Sequence, residues 1–215
     1  MAAADRPNIV LTGFMGTGKS AVGRRLATLT GRDFVDTDAE IVAKHGSIQN
    51  IFDKDGEEHF RDLERRVISD IAPRRNLVIA TGGGTMLDSD NVLALMGNEI
   101  FTLTADPDEI VRRVADDGIE TRPLLADADD PAAAIAALLE ERAESYEKFT
   151  TIDTSGKSID EVIDALRDAG ATVASEDEVI AEAVSARSSG ELAITAIIAV
   201  AVAVLIVLIV LVMTF

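Results

Sequence analysis

The 215-residue chain has no cysteine, no tryptophan, one tyrosine and two histidines. The missing cysteines exclude disulfides, a thiol nucleophile and a cysteine-bound metal. His45 and His59 are too few to build a histidine metal centre. Tyr146 alone provides no stacking platform for single-stranded nucleic acid. Positive charge is also short. Lys and Arg number 20 against 38 Asp and Glu, for a formal net charge of -18. The lysines are Lys19, Lys44, Lys54, Lys148 and Lys157 only. A phosphate backbone wants the opposite sign, so nucleic acid is excluded as a partner. Two readings of the acidity stand side by side: an ordinary acidic protein, or one adapted to high salt, where self-repulsion is screened. The N-terminus has no long apolar segment behind a basic start, so a signal peptide is not expected.

What is present is alternation. Short apolar runs at 8–12, 34–35, 77–80, 99–104 and 150–153 read as buried strands. Between them, apolar residues at helical spacing mark 19–29, 39–44, 48–52, 56–71, 92–96, 131–146 and 159–167. Pro107 opens a further helix at its first turn. Residues 118–130 are acidic and broken, and read as a mobile loop. Strands alternating with helices predict an α/β domain with a parallel sheet over residues 1–170. Residues 171–190 read as an acidic linker.

From Leu192 to Phe215 there is no charged side chain. At about 1.5 Å per residue such a helix spans a bilayer core, which needs about 20 apolar residues. The tail is therefore expected to be a transmembrane helix with a lipid bilayer as partner, anchoring a cytoplasmic domain. A buried core helix and a gene-boundary artefact are the alternatives.

Residues 13–20, GFMGTGKS, fit a phosphate loop, with a strand before and a helix after. Gly13, Gly16 and Gly18 let backbone N–H groups approach phosphate oxygens, together with those of Thr17, Lys19, Ser20 and Ala21. Lys19 reaches the β- and γ-phosphates, and Ser20 offers its hydroxyl to Mg²⁺. This implies ATP and Mg²⁺ without naming the acceptor.

Four stretches address the acceptor. Asp36-Thr37-Asp38 lies at the carboxyl end of the second strand, where open parallel sheets bind ligands. Asp36 suits the metal's water shell, and Asp38 suits an acceptor hydroxyl; Asp38 is also placed to cap the next helix. Arg61, with Glu64 one turn on, suits a carboxylate, or is a solvated pair. Gly82-Gly83-Gly84 permits backbone to pack against a ligand, or is a plain turn. Arg122-Pro123-Leu124-Leu125 offers an arginine on a closing loop, or a charged loop residue. Arg142 supplies a second cation for an acceptor carboxylate.

In this order and spacing, GFMGTGKS, DTD, IFxxxGExxFRxxE, GGG and RPLL resemble the shikimate kinase family, from about Asn8 to Arg167. The resemblance implies a three-layer P-loop kinase with a five-stranded parallel sheet in order 2-3-1-4-5, here followed by the transmembrane helix. It implies transfer of the γ-phosphate of ATP to the 3-hydroxyl of shikimate by a monomeric kinase domain. Lys19, Asp38 and Arg122 become the catalytic group. Asp38, Arg61, Gly82, Gly83, Gly84 and Arg142 hold shikimate, between walls made by Phe52 and Phe60. Arg112 or Arg113 lies near adenine. The chain departs from the family in the acidic stretch bearing Asp116, Asp117 and Glu120, in Thr154-Ser155-Gly156-Lys157, and in the tail. A kinase for another hydroxy acid, such as gluconate, and a membrane-tethered nucleotide-binding protein without turnover are the rivals.

Overall fold

A computed structural model describes residues 6–118, 122–126 and 128–173. Strands β1 (Ile9–Thr12), β2 (Asp33–Asp36), β3 (Leu77–Ala80), β4 (Glu99–Thr104) and β5 (Thr150–Asp153) form one parallel sheet in the order β2-β3-β1-β4-β5. The helices are α1 (Lys19–Thr30), α2 (Thr37–His45), α3 (Ile48–Ile71), α4 (Ser89–Leu95), α5 (Pro107–Asp117), α6 (Pro123–Ala126), α7 (Pro131–Tyr146) and α8 (Ile159–Asp168). A 3-10 turn spans Thr85–Leu87.

Side-chain alternation on β1 divides the core. Ile9 and Leu11 face Val22 and Leu26 of α1 and Val162, Ile163 and Leu166 of α8. Val10 faces the other way, with Ile41 of α2, Leu63, Val67 and Ile68 of α3, and Leu95 of α4. Both faces of the sheet are covered, which gives three layers and explains why the strands read as continuous apolar runs. A third cluster, Phe14, Ile110, Val114, Leu125, Ile135 and Tyr146, binds the loop after β1 to α5, α6 and α7.

The elements differ from expectation in three places. Helix α2 starts at Thr37, and its cap is Asp36, whose Oδ1 accepts from the Ala39 N–H at 3.1 Å. That leaves Asp38 inside the first turn with its carboxylate free for other work. Residues 48–52 and 56–71 belong to one element, α3, broken at Gly56 where φ is 83°. The stretch read as a loop holds α6: Pro123 starts a turn that drives Leu125, 1% exposed, into the third cluster.

The expected membrane-spanning helix is corrected. Among the described residues no helix is long and apolar enough to cross a membrane. The longest, α3, has 24 residues but is amphipathic and interrupted at Gly56. Residues 192–215, on which that expectation fell, lie outside the described residues. Among the described residues the fold class is the three-layer α/β domain, and the bilayer contact has no support.

Candidate active site

The carboxyl ends of β1, β2 and β3 open onto one cleft of about 510 Å³. The phosphate loop, Asp36-Thr37-Asp38 and the glycine run leave the sheet at this edge because each follows a strand, while α3, the start of α6 and α7 bring in Arg61, Arg122 and Arg142. Lining it are Gly16, Thr17, Gly18, Lys19, Ser20, Ala21, Asp36, Asp38, Arg61, Gly82, Gly83, Gly84, Arg113, Arg122 and Arg142. Gly13 sits behind the loop. Its φ is 127°, and a Cβ there would lie 2.1 Å from the Leu103 carbonyl oxygen. Only glycine lets the loop turn this close to β4.

On the loop side, Lys19 donates from Nζ to the Phe14 carbonyl at 2.7 Å. Thr17 donates to the same carbonyl at 2.8 Å. Burial lowers the Lys19 ammonium to about 8, against the opposing pull of Asp38. The Ser20 hydroxyl donates to Oδ2 of Asp36 at 2.5 Å. That pairing puts two hard oxygens at the start of α1, a donor set that suits Mg²⁺ completed by phosphate and water.

On the acceptor side, Asp38 Oδ1 is buried without a hydrogen-bond partner. Burial first, then Glu64 and Asp36, raise its carboxyl from 3.8 to about 6. The glycine turn brings the neighbours in. A Cβ on Gly82 would lie 2.6 Å from that Asp38 oxygen and 2.8 Å from Oε1 of Glu64. A Cβ on Gly84 would lie 2.4 Å from Nη1 of Arg61, and one on Gly83 would lie 3.8 Å from Nη1 of Arg142. Two guanidiniums therefore converge on consecutive glycines beside an unpartnered carboxylate oxygen. Arg61 is no solvated pair: its Nη1 donates at 2.6 Å to Glu64, which is 1% exposed. Arg142 is buried, and its Nε has no partner. Phe52 and Phe60 wall the cleft with ring centroids 5.1 Å apart.

Arg113 is tied into the scaffold. Its Nη1 donates to the Gly16 carbonyl at 3.0 Å and to Thr154 Oγ1 at 3.1 Å. Its Nη2 donates to Glu109 at 2.6 Å and to the Thr154 carbonyl at 3.1 Å. Arg112 points outward, 69% exposed. Arg122 reaches Asp117 at 3.4 Å, while its Nε is buried without a partner.

Sequence reasoning missed two groups. The Thr85 hydroxyl donates to Glu64, and the Tyr146 hydroxyl donates to the Gly83 carbonyl at 2.6 Å. A lone threonine after a glycine run carries no signal. Tyr146, four residues beyond Arg142, sits on the same helical face, and that spacing was a readable clue.

The family model for shikimate kinase matches residues 15–170. A shikimate kinase from Caldanaerobacter subterraneus subsp. tengcongensis is 46% identical over 159 residues, 72% of this chain and 91% of its own length. The chain belongs to the shikimate kinase family. A second shikimate kinase, from Pelotomaculum thermopropionicum, is 46% identical over 160 residues, 73% of this chain and 91% of its own. The solved shikimate kinase from Acinetobacter baumannii in complex with shikimate superposes with a TM-score of 0.72 at 36% identity. That match covers 78% of this chain and 95% of the other.

Proposed function

We propose that this shikimate kinase family member transfers the γ-phosphate of ATP to the 3-hydroxyl of shikimate. The observation that carries the reading is the convergence of Arg61 and Arg142 on Gly83 and Gly84, beside the open oxygen of Asp38. Two guanidiniums select a carboxylate, and a carboxylate acceptor selects a hydroxyl, so the pair asks for a compact hydroxy acid. Charge supports the same reading. In a chain of net charge -18, the cleft is lined by the cations Lys19, Arg61, Arg113, Arg122, Arg142 and Lys157 against Asp36, Asp38, Glu64 and Asp117. That local excess of positive charge suits two anionic substrates.

In this reading the N–H groups from Gly16 to Ala21 cradle the ATP phosphates, with Gly13 setting the turn. Arg113 holds the nucleotide end of the loop in shape. Asp38 accepts a hydrogen bond from the acceptor hydroxyl and takes its proton as the bond from that oxygen to the γ-phosphorus forms and the bond from the γ-phosphorus to the bridging oxygen breaks, releasing ADP. Lys19 and Arg122 offset charge on the transferring group, which is where most of the rate comes from in phosphoryl transfer. Ser20 and, through water, Asp36 would hold Mg²⁺, which would supply charge neutralisation for the phosphates. Gly82, Gly83, Gly84, Arg61 and Arg142 hold the acid.

ADP release by the full chain with Mg²⁺, with shikimate and gluconate compared as acceptors, tests this. Shikimate is expected to win by about 100-fold or more in kcat/KM, because a flexible polyol acid leaves buried polar groups unmatched. Gluconate as the better acceptor, or no acceptor-dependent ADP, would refute the proposal.

A further inference from the structure

Thr85 opens the 3-10 turn after the three glycines, and its side chain is wholly buried. Its hydroxyl donates to Oε1 of Glu64 at 2.6 Å. The other oxygen of Glu64 accepts from Nη1 of Arg61 at 2.6 Å. A carboxylate buried this deeply needs donors on both oxygens. Thr85 is itself held in place. Its N–H donates to the Gly82 carbonyl at 3.2 Å, and its carbonyl accepts from Asn91 Nδ2 at 3.1 Å.

Arg61 has a second carboxylate within reach. Glu57, one turn earlier on α3 and 50% exposed, accepts from Nη2 at 2.9 Å and from Nε at 3.3 Å. The guanidinium is thus shared between an acid at the rim and an acid in the interior. Nη1, the nitrogen nearest the missing Cβ of Gly84, is the one that bonds the interior acid.

We propose that Thr85 is a positioning residue of the acceptor site: its hydroxyl fixes the Glu64 carboxylate that draws Arg61 over Gly84 and into the cleft, and so sets affinity for the acceptor's carboxylate. The inference rests on the hydroxy-acid reading of the cleft given above. Removing the hydroxyl leaves a buried carboxylate oxygen short of a donor, and such a gap costs more than the bond itself. Glu64 then relaxes, and Arg61 is left held by Glu57 at the rim.

Steady-state kinetics on Thr85→Val and Thr85→Ser test this. Valine keeps the shape without the hydroxyl; serine keeps the hydroxyl. Thr85→Val is expected to raise KM for shikimate about tenfold, the size of one lost hydrogen bond to a charged group. KM for ATP should stay within about twofold, because the interaction lost is on the acceptor alone. Thr85→Ser should return KM for shikimate close to wild type. An unchanged KM for shikimate in Thr85→Val overturns the inference. So does a parallel change in kcat and both KM values that serine fails to rescue, since that is general packing damage. Should Thr85→Val not fold, Thr85→Ala removes the hydroxyl without a clash and carries the same expectation. Wild-type protein without shikimate turnover overturns the functional reading and this inference together; wild-type turnover with unchanged KM in the variants overturns this inference alone.

Discussion

Lys19, buried, and Asp38, half-buried with its Oδ1 enclosed, both line the cleft, and each is moved toward neutral pH. Asp38 stands at about 6, chiefly through burial, and Lys19 at about 8, again chiefly through burial. The proposed mechanism needs Asp38 charged and Lys19 charged. The kcat/KM profile is therefore expected to be bell-shaped, rising as pH passes about 6 and falling beyond about 8. A flat profile between pH 5 and 9 would contradict these roles. Stability runs the other way. The raised Asp38 value means the folded state favours the neutral acid. That contribution is complete below the unfolded value of 3.8 and is lost as pH rises through about 6. Asp38→Asn is thus expected to abolish turnover while stabilising the fold at neutral pH by on the order of 2 kcal/mol, seen as a higher Tm. Lys19→Ala should cost about 100-fold or more in kcat, as loss of a preorganised cation does; near-normal turnover would remove it from the mechanism. At this scale the sequence carried the residue types but not their partners. Asp38 read as a possible cap of the next helix until α2 was seen to start at Thr37, with Asp36 as its cap. Arg61 with Glu64 resembled any helix pair until Glu64 proved to be buried.

Among the elements, the loop between β1 and α1 is held by contact with β4 as much as by its own glycines. Gly13→Ala would push a methyl group to 2.1 Å from the Leu103 carbonyl. It is expected to destabilise the domain by about 3 kcal/mol or more, because a strand must move or the loop must open. Gly31→Ala is the control. Gly31 also has positive φ, 64°, but no atom lies within 4 Å of its missing Cβ. Its cost should be about 1 kcal/mol, the backbone penalty alone. Chemical denaturation of both variants checks the contrast, and equal losses would show that the Leu103 contact is unimportant. Element bounds were most legible where composition switches sharply. The runs at 77–80, 99–104 and 150–153 are β3, β4 and β5 as observed, and 131–146 is α7. Helix α6 was hidden because four residues in an acidic loop have no periodicity to read. Its cause is tertiary: Leu125 is buried by α5 and α7, which sequence windows do not see.

For the whole molecule, charge is the distinguishing property. A net charge of -18 repels itself in dilute salt, where the screening length is about 10 Å at 0.1 M against about 3 Å at 1 M. Tm is expected to climb as KCl is raised from low to molar concentration; a flat or falling Tm would favour the ordinary acidic reading. The strand order came from family resemblance, since periodicity yields strands but not their neighbours. What the cleft does is decided by its product. Incubation of the full chain with ATP, Mg²⁺ and shikimate, followed by phosphorus and proton NMR of the product, locates the new phosphate. The expected result is one phosphoryl group coupled to the proton on carbon 3 of shikimate, formed about 100-fold or more slowly by Lys19→Ala. Shikimate recovered unphosphorylated, or carrying phosphate on another hydroxyl, would contradict the account.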